Sequence, residues 1–448
     1  MHGQGDRWGR GAGRILRRQM RNAFHGAARR GTDPAGGGIR SPFATSSAWK
    51  RGGALALLGM GFAATGSSVL SEVPFFADAA AGVHPRFYYL NRHFDTPHTQ
   101  ETMALGGGVE LKTGEWMGLS FGAVPYTSQR LAGEDPHDGA SLLKAGQEGY
   151  SVLGQAHARW RGWDSEITLH RQILDTPMLN SYDVKMTPVT FEACTYVNRS
   201  VSNLTITLSQ VDAIKGWTET SFRSPSEAAG FDDTDEGITL AGVQWSTEPL
   251  TAQVWEYHAR HIVNSVYAQV DLHAPDEGLP VGSLSVQGLH QRDAGEAYAG
   301  EFQTGMGGVL GGLSWKGFTL NLGGTVTDKG GDIYNPWAAY PGYTSLVEED
   351  CNLAGEQAWM AGLAYDFSGM GLEGWNAFHT HSEAWTPERG TFSDPAQYED
   401  DLTVDFKPGG AWQGLAVRWR AAFIRNSLST EGADYEDLRC IVNYEKVW

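Results

Sequence analysis

Leu415, Val417, Trp419, Ala421 and Phe423 alternate with Ala416, Arg418, Arg420 and Ala422, a strict two-residue period over nine positions. Successive strand side chains point to opposite faces, so this segment makes an apolar face with Trp and Phe and a second face with two arginines. Such a strand needs an apolar medium on one side and water on the other. Either a soluble sheet or a transmembrane barrel with arginines lining its pore meets that demand. Everything else in the sequence is therefore weighed for which of the two it favours.

The same unit recurs. Leu204, Ile206 and Leu208 alternate with Thr205 and Thr207; Phe318, Leu320 and Leu322 alternate with Thr319, Asn321 and Gly323. Cys440, Val442 and Tyr444 alternate with Ile441 and Asn443. These have strand period, not helix period. Turn-rich stretches separate them at 133–136, 232–237, 275–278, 330–332 and 408–410. Dividing residues 83–448 among eighteen strands leaves about 20 residues per strand and connection, and sixteen strands fit the same count. The fold class expected is all-β, a transmembrane antiparallel β-barrel, with eighteen strands favoured.

Composition points the same way. The 448 residues include 58 Gly, 16 Trp, 16 Tyr and 18 Phe, where a soluble core of this size would lean on Leu and Ile. The net charge is -18, and residues 1–51 hold eleven Arg or Lys against Asp6 and Asp33, so the remainder is more acidic still. That excess argues against a nucleic-acid partner and fits loops facing water. Lys50 and Arg51 precede the apolar run GGALALLGMGFAATG, an export signal too short to span a membrane. Cleavage after Ala64 or after Ala79 fits it, and residues 1–82 are read as basic leader plus signal peptide. Beyond it no segment reaches the ~18 apolar residues of a spanning helix, so a membrane-spanning form must be a closed barrel.

Candidate chemistry of other kinds is sparse. Cys194, Cys351 and Cys440 have no metal or redox spacing, and an odd number argues against a disulfide framework. Gly305 to Gly311 echoes a dinucleotide loop, but no helical pattern follows, and glycine-rich barrel turns are expected there. His379 and His381 would share a strand face with no third ligand near, which reads as a polar face and not a metal site. No convincing serine elbow and no convincing acid/base pair emerges. The reading therefore calls for no catalytic residue, no cofactor and no metal. Beside it stand an outer-membrane barrel enzyme and an exported β-sandwich that binds glycans.

Several ordered segments resemble the OprD family of outer-membrane porins. They are Phe87 to Arg92, Leu174 to Asn180 with Met186 to Glu192, Pro341 to Ser345, Ala358 to Phe367 with Gly369 to Gly374, and Ile441 to Tyr444. The resemblance covers residues 83–448 and implies an eighteen-stranded diffusion channel for small, mostly carboxylate-bearing nutrients, in the bacterial outer membrane. It implies that the loop at 174–192 folds into the lumen; Pro177 and Pro188 suit it because neither continues a central ladder. It also implies a basic ladder of Arg92, Lys185, Arg418, Arg420 and Arg425, which Arg159 and Arg161 extend if they face inward. Lys185 stands where arginine is frequent, keeping the charge without the planar fork. Asp332 and Tyr334 are the implied polar group opposite the ladder. Partners so implied are outer-membrane lipid and lipopolysaccharide and small anionic or amphoteric solutes, with an oligomer allowed.

Overall fold

The structure is a computed structural model that describes residues 74–95, 99–133, 139–274, 281–337, 340–386, 397–426 and 434–448. Residues 1–73 of the expected leader and signal peptide, with the cleavage position after Ala64, lie outside the described residues, as do the expected turn at 275–278 and residues 134–136 of the one at 133–136. Of the rest of the expected leader, Pro74–Ala77 is a short helix and 80–82 already belong to a strand.

The described residues form eighteen long strands and one short one. They are β1 (Ala80–Phe94), β2 (Thr99–Lys112), β3 (Leu119–Ala132), β4 (Tyr150–Gly162), β5 (Ser165–Gln172), β6 (Thr190–Asn198), β7 (Leu204–Lys215), β8 (Ile238–Thr247) and β9 (Leu250–Ala259). Then come β10 (Val263–His273), β11 (Val281–Asp293), β12 (Gln303–Trp315), β13 (Phe318–Thr327), β14 (Gln357–Asp366), β15 (Trp375–Trp385), β16 (Gln397–Phe406), β17 (Leu415–Asn426), β18 (Asp434–Tyr444) and β19 (Lys446–Val447). Two four-residue helices, α1 (Pro74–Ala77) and α2 (Pro225–Ala228), complete the regular structure among the described residues. No helix of those residues is long and apolar enough to cross a membrane.

Each long strand pairs antiparallel with the next, and β1 returns to β18 from Arg86 opposite Asn443 to Phe94 opposite Tyr435. The sheet thus closes on itself and has no free edge, which a sandwich of two sheets does not achieve. β19 continues the closure past Glu445, and the last residue completes it, since Trp448 N donates to Ala81 O at 2.8 Å.

What makes this a membrane barrel is an inverted distribution of polarity. Leu105, Val243, Val270, Val286, Leu322, Leu402 and Leu438 are exposed, while Thr102, Ser209, Ser285, Gln287, Thr325, Thr380 and Thr403 are buried. Apolar side chains turned out and polar ones turned in are stable only against lipid on the outside. β17 shows the rule locally. Trp419 and Phe423 are exposed, whereas Arg420, Ala422 and Ile424 are buried. The short-turn end carries an aromatic belt: Trp375 stacks on Phe406 at 4.5 Å and lies 6.1 Å from Trp419, and Phe318 lies 4.3 Å from Tyr365.

One expectation fails here. Gly305 to Gly311 is not a turn but the centre of β12. Met306 and Leu310 are buried while Gly305, Gly307, Val309 and Gly311 hold the outward positions, so apart from Val309 the outer face has no side chains there to announce the alternation. His379 and His381 do share a face, outward on β15, where both rings meet Asp400 at 2.9 and 3.1 Å. The three cysteines are free.

Candidate functional site

Three connections at one end of the barrel fill part of its interior. They are L3 (173–189), L4 (216–237) and L7 (328–356), joining β5 to β6, β7 to β8 and β13 to β14. Met178, Leu179, Tyr182 and Met186 of L3 and Trp217 of L4 are buried, as are Trp337, Tyr343 and residues 344–351 of L7. Hydrogen bonds tie the loops together. Trp217 Nε1 donates to Tyr182 O at 2.8 Å, Trp337 Nε1 to Pro225 O at 2.7 Å, and Asn335 Nδ2 to Met178 O at 3.4 Å. Met178, Leu179, Tyr182, Trp217 and Trp337 form one cluster with inward residues of β6 to β12, such as Phe191, Ile238, Tyr257 and Leu289.

On the other side the wall is polar, and strand register sets its pattern. Reading β1, β18, β17 and β16 in turn, one inward row is Arg92, Asp437, Ala422 and Asp401; the next is Leu90, Arg439, Arg420 and Thr403. The third is Tyr88, Ile441, Arg418 and Asp405, and the fourth begins Arg86, Asn443, Ala416. Five arginines on three adjacent strands therefore occupy four successive rungs. With about 3.3 Å per residue and two residues per rung, the column runs about 20 Å down the wall.

Each guanidinium is held. Arg418 grips Asp405 with Nε at 2.6 Å and Nη2 at 2.5 Å, and Arg86 grips Asp183 of L3 at 2.6 and 2.9 Å while Nε reaches Asn443 at 2.7 Å. Arg92 meets Asp437 at 2.9 and 2.7 Å and Glu348 of L7 at 2.6 Å. Arg439 bonds Asp437 and Glu348 as well. Arg420 differs: Nε donates to the Thr403 hydroxyl at 3.0 Å, and its neighbour across the strand is another arginine. A buried, donor-rich column of this kind attracts an anion, and the planar fork suits a carboxylate.

A family model described as outer membrane porin, OprD family, matches residues 73–447. The chain belongs to the OprD family of outer membrane porins. It is a channel protein of the bacterial outer membrane. No curated protein matches the chain. Among solved structures it is similar to Pseudomonas aeruginosa OccK9 (OpdG), with a TM-score of 0.76, 21% identity and 84% of this chain covering 100% of that one. It is also similar to P. aeruginosa OpdK with vanillate (TM-score 0.72, 20% identity) and to P. aeruginosa OccK2 (OpdF) in complex with glucuronate (TM-score 0.72, 20% identity), 84% of this chain covering 100% of each. At these identities the likeness is one of fold.

For an OprD porin the expected ladder residues fall into three groups. Arg92, Arg418 and Arg420 lie in the inward column. Lys185 does not stand in a strand row; it is buried within L3, its Nζ 5.5 Å from the Trp217 ring, while its carbonyl accepts from Arg86. Arg425 is the correction. It has the parity of Trp419 and Phe423, is exposed, and lies over Tyr398 at 5.8 Å on the outer wall. An Arg425→Gln porin is accordingly expected to show the ion selectivity of the unaltered protein in planar bilayers; a shift in reversal potential would place this guanidinium at the pore after all. Arg159 and Arg161 do point inward, sharing the face of buried Thr168, but both are held by Glu166, at 3.4 and 2.7 Å.

Asp332 and Tyr334 begin L7 and sit against β11, eight strands round the barrel from β1. Asp332 is exposed, and its carboxylate accepts from Ala354 N at 2.7 Å, an internal tie of the loop. Tyr334 is clipped to Gln291 by two bonds of 2.8 Å and packs near Phe302 and Trp337. Burial pushes its phenol up to about 12, so it stays a neutral donor. Sequence reasoning missed Arg86 and Arg439, and with them the acids Asp183, Glu348, Asp405 and Asp437. Arg86 has the parity of Arg92, and Arg439 alternates with Leu438, Cys440 and Val442, so the signal for both was present.

Proposed function

We propose that this porin passes small carboxylate-bearing solutes by diffusion, with the column Arg92, Arg439, Arg420, Arg418 and Arg86 as the track. The observation that carries the reading is the register, which stacks these five on one stretch of inner wall. An anion entering from the loop end meets donors at each rung. It is handed on because every arginine also has a wall or loop partner to return to, so binding stays weak enough for release. Lys185 beside Trp217 and the L7 group of Asp332 and Tyr334 lie off this column and shape the passage from its sides. Vanillate and glucuronate, with which two of the similar structures are described, are both carboxylates, which agrees with the proposed substrate class. Anionic and amphoteric solutes are the expected cargo, and no chemistry on them is required.

Purified protein reconstituted in a planar bilayer is expected to give discrete current steps, with chloride passing more readily than potassium. Liposomes carrying it are expected to take up glucuronate faster than a neutral sugar of equal size. Steps with no anion preference, and equal uptake of the two solutes, would remove the carboxylate reading and leave a general diffusion pore.

A further inference from the structure

We propose that Glu348 is a tethered counter-ion of this pore, occupying on Arg92 and Arg439 the place a solute carboxylate must take, so that a solute advances by displacing it. The inference rests on the channel reading above and adds a selectivity device to it. Glu348 Oε2 lies 2.6 Å from Arg92 Nη2, and its other oxygen pairs with Arg439. Asp437 serves the same two guanidiniums from the strand side. Each arginine is thus held by one acid fixed in the wall and one acid delivered by L7. Asp437 cannot leave without breaking β18. Glu348 can leave at no cost to the ladder hydrogen bonds that keep the barrel closed.

The tip of L7 is held in place by a small set of contacts. Glu399, inward on β16, receives the backbone N–H groups of Val347, Glu348 and Glu349 at 3.0, 2.9 and 2.8 Å. Three successive N–H groups wrapped on one carboxylate form an anion nest, here used to hold a loop. Leu346 N donates to Glu349 O at 2.9 Å, and Ser345 Oγ to Asp350 Oδ1 at 2.7 Å, so the tip keeps its own shape. Val347 packs on Ala422 and Ile424, which share the inner face with Arg420. The tip therefore lies on the arginine column.

Two consequences follow from the chemistry. A tethered group competes at an effective concentration in the millimolar range or above, so the apparent affinity for a solute falls by the fraction of time the site is free. A carboxylate can replace Glu348 in kind, oxygen for oxygen on the fork, whereas chloride offers one point of contact and competes poorly. Glu348 would then exclude small inorganic anions while yielding to organic acids.

The experiment compares unaltered protein, Glu348→Gln and Glu348→Asp in planar bilayers. Folding of each is verified by heat-modifiable migration, with chloride-to-potassium permeability and the glucuronate concentration that halves the KCl current as readouts. Both variants are expected to lower the half-blocking concentration by about three- to tenfold, and to raise chloride permeability. Aspartate keeps the charge but withdraws the carboxylate by one methylene, so a shift there shows displacement and not mere net charge. Half-blocking concentration and chloride permeability both unchanged in Glu348→Asp would overturn the proposal, even if Glu348→Gln shifts. If glucuronate blocks none of the three proteins, the carboxylate reading of the pore fails; chloride permeability of Glu348→Asp then decides the tether alone, a rise supporting it and no change overturning it.

Discussion

Replacing Arg418 and Arg420 together by glutamine is expected to turn the pore from anion-preferring to cation-preferring. The column holds five guanidiniums, and the carboxylates bonded to them are Asp183, Asp405, Asp437 and Glu348, a balance of one positive charge. Removing two arginines makes that balance one negative charge, because Asp405 loses the fork that neutralised it. A solute anion passing about 5 Å from two unit charges interacts with them by about 1.7 kcal/mol at the dielectric of water. Salt near 0.1 M screens this to about 1 kcal/mol. Chloride permeability should therefore fall by about fivefold and potassium, relieved of the same repulsion, should rise by as much, so their ratio should fall by about thirtyfold. Glucuronate uptake into liposomes should fall further than uptake of a neutral sugar. The barrel itself should survive, since both side chains face the interior and neither belongs to a ladder hydrogen bond. Should the folded variant keep its reversal potential in a KCl gradient, these two residues are not part of the track.

That expectation was half legible in the sequence, and the reason is the period of a strand. Parity put Arg418 and Arg420 on the face opposite Trp419 and Phe423, and the structure has them there. The same parity separates Arg425 from them by an odd step, and the resemblance to a family ladder carried it across the wall against that rule. Parity also relates Arg86 to Arg92. What parity cannot give is which arginine stands beside which. The rungs joining β1, β17 and β18 pair residues more than three hundred positions apart in the case of β1, and register over that distance follows from closure of the whole sheet.

The loops were less legible still. Pro177 and Pro188 marked L3 as a segment that leaves the ladder, and the buried side chains between them agree with its inward course. L7 carries prolines too, Pro336 and Pro341, but its inward tip at 346–350 has none. Its acidic run Glu348, Glu349, Asp350 reads as a solvated loop, and only Glu399, brought beside it by β16, explains why those residues are buried. Gly305 to Gly311 failed for the opposite reason. A lipid-facing strand needs no bulky outer side chains to be stable once its neighbours complete the ladder, so glycine there erases the period without ending the strand.

Trp217→Ala should open the pore while leaving the barrel intact. The indole is buried, donates to Tyr182 O at 2.8 Å and lies 4.8 Å from the Tyr182 ring, and Lys185 Nζ sits 5.5 Å from it. Its carbonyl also receives Tyr150 OH at 2.8 Å and Thr187 Oγ1 at 2.6 Å, so the backbone at this position ties L4 to both β4 and L3. Cutting a buried Trp back to Ala costs about 3–5 kcal/mol. That loss falls on the packing of L3 against L4 and not on the strand ladders, which close through β1 and β18 without it. Heat-modifiable migration should therefore persist, single-channel current should rise and become noisier, and liposome swelling should admit larger neutral solutes. Trp217→Phe supplies the internal scale, because it keeps a ring beside Lys185 and gives up chiefly the N–H bond, worth about 1 kcal/mol. Its size limit should lie between those of the alanine variant and the unaltered protein. An alanine variant with an unchanged size limit would mean that L3 and L4 do not set the width of this pore, and the constriction would then have to come from L7 and the arginine wall alone.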